Sequence, residues 1–177
     1  MKEYIIGIDV GGMSAKGGLF SLDGKLLYDS KVKTNKSDSV ESTVSGLVCF
    51  AKSLAEKAGV DFSDVIAVGM GIPGVVNSGD GIVLRWTNFA WDNAPLEKLF
   101  SEFSGKPTCI ANDANVAALG EAKFGATAKY QSSILLTIGT GIGGGMVFDG
   151  KLIEGYQSAG AELGHITIRE GEDGLAC

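Results

Sequence analysis

Four stretches of the chain carry residues whose types and spacing suit chemistry. The first is Asp9-Val10-Gly11-Gly12, which follows the short apolar run YIIGI at 4–8. A carboxylate at the end of a buried strand can hold Mg²⁺, directly or through water, beside a polyphosphate, and glycines let backbone come close to a ligand. Lys16, just past the turn, is placed to balance phosphate charge, although a capped turn with a solvated lysine is the plainer alternative. The second stretch, GTGIGG at 139–144, fits the Gly-x-Gly-x-x-Gly spacing. A dinucleotide site needs a helix directly after that loop. Here GMVFDGKLI follows, which reads as a strand and a hairpin, so a dinucleotide is not expected. Between two strands such glycines form either an ordinary hairpin or a nest of inward N–H groups for an anion.

The third stretch is Asn112-Asp113-Ala114-Asn115, where a strand meets a helix. One of these residues could simply cap the helix. Three polar groups are more than a cap needs, and they stand at the carboxyl end of a strand, where open α/β sheets bind ligands. An aspartate there can accept a hydroxyl proton in transfer chemistry. The fourth is AGAELGHITI, with Glu162, the single histidine His165, and Cys177 twelve residues beyond it. Either His165 is structural or it joins a metal site, and two or three potential ligands do not by themselves make a zinc site.

The elements that position these groups follow from periodicity. Apolar runs at 4–8, 17–22 and 25–34, the last two joined by Asp23-Gly24, read as three antiparallel strands. From Asp38 to about Ala58 the apolar residues recur at three and four, which predicts a helix stopped by Gly59. VIAVGMGI at 65–72 reads as a strand buried on both faces, ended by Pro73-Gly74. A turn at 77–81, a short strand IVLRW, a helix over 94–103, a strand over 107–112 and a helix over 113–124 complete a mixed sheet with helices. Near residue 130 the opening pattern returns: LLTIGTGIGGGMVFDGKLI echoes IGIDVGG…GGLFSLDGKLL. That echo predicts a duplicated domain, with a first lobe over 1–124 and the start of a second over 125–177, too short to complete its sheet. The chain therefore reads as a truncated piece of a longer protein.

Composition bounds the partners. Fifteen Lys and Arg against 21 Asp and Glu give a net charge of −6, which argues against nucleic acid and anionic membrane surfaces. Three widely spaced cysteines give no disulfide framework, and no signal or membrane-spanning run is present, so a cytoplasmic protein is expected. The 27 glycines follow no Gly-x-y period and belong to turns and ligand loops.

Together DVGGMSAKGGLF, GIPGVV, NDANVAALGEA, LLTIGTGIGGG and AGAELGHITI resemble the ROK family of bacterial sugar kinases and sugar-responsive repressors. The resemblance implies an α/β fold of the duplicated actin/hexokinase/Hsp70-like (ribonuclease H-like) type, with a mixed five-stranded sheet. It implies ATP-dependent phosphorylation of a hexose or glucoside hydroxyl, with Asp113 as base. Asn112, Glu162 and His165, with Gly74 and Asn88 at the cleft wall, would hold sugar hydroxyls. Asp9, Gly11, Gly12, Lys16, Thr140 and Gly141 would form the two ATP phosphate loops, Asp9 serving Mg²⁺. His165 and Cys177 would begin a structural Zn²⁺ site that ends beyond the chain, and a homodimer would be common among relatives. Met13 stands where the family usually has threonine, and Ser14 could supply the lost hydroxyl. A sugar-responsive regulator and a non-catalytic sugar-binding module stand as alternatives. The regulators carry an N-terminal helix-turn-helix, whereas here the first phosphate loop comes at once. The piece alone is expected to be inactive.

Overall fold

The computed structural model describes residues 3–139 and 141–167. The chain divides into two compact units, Met1–Asp113 and Ala114–Cys177. In the first, β1 (Tyr4–Val10), β2 (Ser14–Ser21) and β3 (Leu26–Lys33) form the expected antiparallel meander. Two further strands, β4 (Val65–Ile72) and β8 (Thr108–Asn112), add parallel to β1, giving the sheet order β3-β2-β1-β4-β8. Helix α1 (Val40–Lys57) starts at Ser39, whose side chain accepts from the Ser42 N–H, and ends before Gly59 in a left-handed conformation. Its face of Val44, Leu47, Ala51, Leu54 and Ala55 is at most 2 % exposed. It seats so closely on the sheet that a Cβ at Gly17 would stand 2.8 Å from both Phe50 and Leu54. Helix α2 (Leu96–Ser104), which follows Pro95, buries Leu96 and Phe100 in the same core with Ile6, Met70 and Ile110.

Along β4, Val68, Met70 and Ile72 point into the core at no more than 2 % exposure, and on the opposite face Ala67 and Gly69 are half-buried and Gly71 is buried. Ile66, 38 % exposed, stands at a register shift against β1.

Between β4 and α2 the chain builds a small antiparallel sheet of β5 (Val75–Asn77), β6 (Ile82–Trp86) and β7 (Trp91–Ala94). Only β6 is expected from sequence; β5 and β7 are too short to show a period. Trp86 pairs with Trp91 across the strands, and Phe89 stacks on Trp86 with ring centroids 4.1 Å apart. These three buried rings clamp the turn Thr87–Phe89, on which Asn88 sits.

The second unit repeats the opening meander with β9 (Ser133–Ile138), β10 (Ile142–Phe148) and β11 (Lys151–Leu152). Its Asp149-Gly150 turn has both residues at positive φ, as a two-residue hairpin requires. The glycine segment is shorter as a loop than its sequence suggests, because Gly143, Gly144 and Gly145 lie inside β10. Their reason is packing. A Cβ on Gly145 would come within 2.5 Å of the Ala118 Cβ and 2.7 Å of the Ala114 carbonyl, both on helix α3 (Asp113–Phe124). Helix and strand approach to backbone contact there.

Candidate functional site

In the first unit the candidate residues converge on the carboxyl ends of β1, β4 and β8. Register puts Asp9 beside Gly71, and Gly71 beside Ala111, so on the β4–β8 side of Asp9 the row carries only a hydrogen and a methyl. Asp113 follows two residues later, opening α3. The Asp9 carboxyl feels its surroundings. Partial burial pushes the Asp9 carboxyl above its ordinary range, the negative charge of Asp113 pushes it further, and Lys16 opposes both. Lys16 stands directly opposite Asp9 on β2.

The β1–β2 turn is braced from two directions. The Gly11 N–H donates to the Ser14 carbonyl at 3.0 Å, the Thr34 hydroxyl donates to the Gly11 carbonyl at 2.9 Å, and the Thr34 N–H donates to the Met13 carbonyl at 3.2 Å. A Cβ on Gly11 would stand 2.9 Å from the Ser14 carbonyl oxygen, so this position is glycine by contact with backbone. Met13 is 80 % exposed at the tip. Asn88, remote in sequence, comes to Gly12: its Nδ2 is 3.5 Å from where a Cβ would stand. Lys36 reaches the same point, with Cε at 3.6 Å. The sequence reading passed over Lys36. No local motif marks it, because the contact arises from the return of β3 past the β1–β2 turn.

Gly74 holds Asn112 in place. The Asn112 Nδ2 donates to the Gly74 carbonyl at 3.0 Å. Gly74 itself has φ +94°, and a Cβ there would be 2.3 Å from the Arg85 carbonyl oxygen, which no other residue type tolerates.

In the second unit Gly139 and Gly141 close the β9–β10 turn, the Gly139 N–H donating to the Gly141 carbonyl at 2.9 Å. Thr140 lies outside the described residues. Glu162 and His165 flank a single 3₁₀ turn, Leu163–His165, with the His165 Nε2 and the Glu162 Oε2 3.8 Å apart and both side chains well exposed. That turn is fixed to the start of β10. A Cβ at Gly164 would stand 2.0 Å from the Ile142 carbonyl oxygen, and Leu163 packs on Gly144. The glycine turn and the Glu162–His165 pair therefore share one end of the second sheet.

The residues fit the two expected metals differently. Mg²⁺ is commonly held by one or two carboxylates plus substrate phosphates, and Asp9 beside a glycine turn offers that. Zn²⁺ in a structural site needs four ligands. Cys177 lies outside the described residues, and among the described residues no group of three or more His, Cys, Asp or Glu forms. His165 and Glu162 alone do not make a zinc site. Among the described residues, no helix is long and apolar enough to cross a membrane.

Known proteins resemble this chain over nearly its whole length. The chain is 38 % identical over 172 residues to a glucokinase of Thermotoga maritima, covering 94 % of this chain and 51 % of the relative. It is 31 % identical over 173 residues to a xylose repressor of Caldicellulosiruptor bescii, covering 98 % of this chain and 43 % of that protein. Among solved structures, a ROK family glucokinase from Streptomyces griseus, in complex with glucose and AMPPNP, superposes with a TM-score of 0.81 at 36 % identity, over 94 % of this chain and 51 % of that one. The chain thus spans about half the length of the curated kinases it matches, and its fold is the actin/hexokinase-like one. With the family's sequence pattern matched over residues 5–177, through every motif described above, the chain belongs to the ROK family.

Proposed function

We propose that the chain supplies the first phosphate loop, the catalytic base and part of the sugar site of an ATP-dependent hexose kinase. The observation that carries this reading is the pair of carboxylates, Asp9 and Asp113, at adjoining strand ends and close enough for one charge to shift the other's titration. One carboxylate suits a metal–polyphosphate and the other a hydroxyl proton, and a floor of Gly71 and Ala111 leaves room between them. Asp113 takes the proton of the attacking sugar hydroxyl. Asn112, oriented by the Gly74 carbonyl, steers the sugar. Asn88, on its aromatic clamp, stands at the wall beside Gly12. Within the second unit, Glu162 and His165 are assigned sugar contacts, and Thr140 and Gly141 a phosphate loop. Mg²⁺ when bound would neutralise the phosphates of ATP, with Asp9 as its protein ligand. Positioning and charge neutralisation supply most of the rate in phosphoryl transfer. The glucose and AMPPNP bound by the Streptomyces griseus relative support this assignment of substrates.

The likeness to a xylose repressor keeps a second reading in play, in which the same sugar pocket serves sensing without turnover. One experiment separates them. In the longer protein that this chain would belong to, sugar-dependent ADP release is measured over a panel of hexoses for wild type and Asp113→Asn. A kinase loses at least about 100-fold in turnover while retaining sugar binding, in line with removal of a general base. Turnover near the wild-type rate in Asp113→Asn would overturn the base assignment, and sugar binding without any ADP release in wild type would favour the sensor. The 177-residue chain alone is expected to give no turnover, since the relatives are about twice as long.

A further inference from the structure

Gly12 is unexplained by packing. Its backbone is not among the positive-φ glycines, and a Cβ would meet its neighbours at 3.5 Å or more, in ordinary contact. Nothing in the folded unit demands glycine there, yet leaving out the side chain keeps a small space open between Asn88 and Lys36. Both neighbours offer hydrogen-bond donors to that space: an amide on Asn88 and an ammonium on Lys36.

Lys36 is held on a built turn. The Asn35 Nδ2 donates to the Asp38 Oδ1 at 2.8 Å, the Ser37 N–H donates to the Asn35 Oδ1 at 3.2 Å, and the Asp38 N–H donates to the Asn35 carbonyl at 3.1 Å. Thr34, the residue before that turn, carries the two bonds to Gly11 and Met13, so the lysine turn and the glycine turn are one braced piece. Among the described residues Lys36 has no carboxylate within ion-pair distance. Lys16 faces Asp9 across the strands. An incoming polyphosphate meets two carboxylates at this strand end, and Lys36 is the cation that stands against Gly12.

We propose that Lys36, with the Asn88 amide, binds a phosphoryl oxygen seated against Gly12, and that Lys36 is the phosphate-binding cation of this loop. The inference deepens the kinase reading and rests on it for the identity of the phosphate donor, while the anion site itself can be tested without turnover. The Lys36 Cε stands 3.6 Å from the Gly12 Cβ position with Nζ one bond farther out, and rotation about the last side-chain bonds swings the ammonium toward an oxygen seated against Gly12. A charge-assisted contact of this kind accounts for roughly a tenfold difference in affinity.

Inorganic tripolyphosphate titrated calorimetrically into the 177-residue chain at about 0.15 M salt, where remote charges are screened, gives the test. Wild type, Lys36→Met, Lys36→Arg and Lys57→Met are compared. Lys57 lies at the far end of α1, about 27 Å along an 18-residue helix, and its removal changes net charge equally. The expected result is at least tenfold weaker binding for Lys36→Met, near-wild-type binding for Lys57→Met, and substantial recovery in Lys36→Arg. Equal affinity of Lys36→Met and Lys57→Met overturns the proposal, and so does absence of binding by wild type. Loss of sugar-dependent turnover as a property of the longer protein, with the Lys36 effect intact, would reject the kinase reading and leave the anion site standing.

Discussion

Replacing Gly74 by alanine tests the joint between the fold and the sugar-facing residues. Two costs arise at that position. The backbone sits at φ +94°, where a Cβ crowds the following carbonyl, worth about 1–2 kcal/mol. The new Cβ would also stand 2.3 Å from the Arg85 carbonyl oxygen and 3.4 Å from the Trp86 Cα. Both are backbone atoms of β6, held in register with β5 and β7 and by the buried Trp86 ring. They cannot swing aside as a side-chain tip would, so overpacking adds about 1–3 kcal/mol. The sum is about 2–5 kcal/mol, a large part of the 5–15 kcal/mol typical of a domain. Gly59→Ala gives the matched control. Gly59 also has positive φ, at +72°, but nothing lies within 4 Å of its Cβ position, so only the strain of about 1 kcal/mol applies. Urea unfolding of both variants against wild type isolates the clash by difference. Gly74→Ala should be the less stable by at least 1 kcal/mol, and its Asn112 amide should lose the Gly74 carbonyl, seen as a shifted side-chain NH₂ resonance. Equal stability of the two variants would refute the argument that backbone contact, rather than φ, makes Gly74 obligatory.

Three further outcomes follow from the same geometry. Asp9 has a raised carboxyl pKa, so its contribution to stability is complete below the unfolded value near 3.8 and is lost as pH rises through the higher folded value. Asp9→Asn should therefore melt above wild type at pH 7, with the gain vanishing below about pH 4; a difference independent of pH would show that Asp9 does not titrate as argued. Gly145→Ala forces a methyl to 2.5 Å from the Ala118 Cβ and should cost about 1–3 kcal/mol, read as faster amide exchange in α3 and β10 with α1 unchanged. Unaltered exchange in α3 would show that the strand–helix contact is looser than described. Gly12→Ala should keep stability within about 0.5 kcal/mol, because its Cβ meets only ordinary contacts, yet weaken tripolyphosphate binding; Gly11→Ala, meeting the Ser14 carbonyl at 2.9 Å, should destabilise the turn itself. Matching stability losses in the two variants would contradict this division.

Much of the fold was legible because it is written in short-range patterns. The period of three and four from Asp38 to about Ala58, with Gly59 after it, places α1 to within two residues. The Asp-Gly turns fixed the two meanders, and the repeated Asp-Gly-Lys-Leu made the second unit's resemblance to the first visible. The small sheet was half missed. Three- and four-residue strands such as β5 and β7 carry no readable period, and their pairing is set by Trp86, Phe89 and Trp91 closing on one another.

The candidate site divides in the same way. Sequence alone determined which residue types were available and at which element ends they fall: Asp9 after a strand, Asp113 at a strand–helix junction, glycines between strands. Local propensity and turn chemistry dictate those positions within a few residues of chain. Tertiary structure alone decided that Lys16 faces Asp9, that the Arg85 carbonyl leaves no room for a side chain at Gly74, whose own carbonyl accepts from Asn112, that Gly145 is there for α3 rather than for a ligand, and that Lys36 and Asn88 meet at Gly12. Each of these is a through-space contact between residues distant in sequence. Its energy depends on distances of 2–4 Å that only the closed sheet and its crossovers can set.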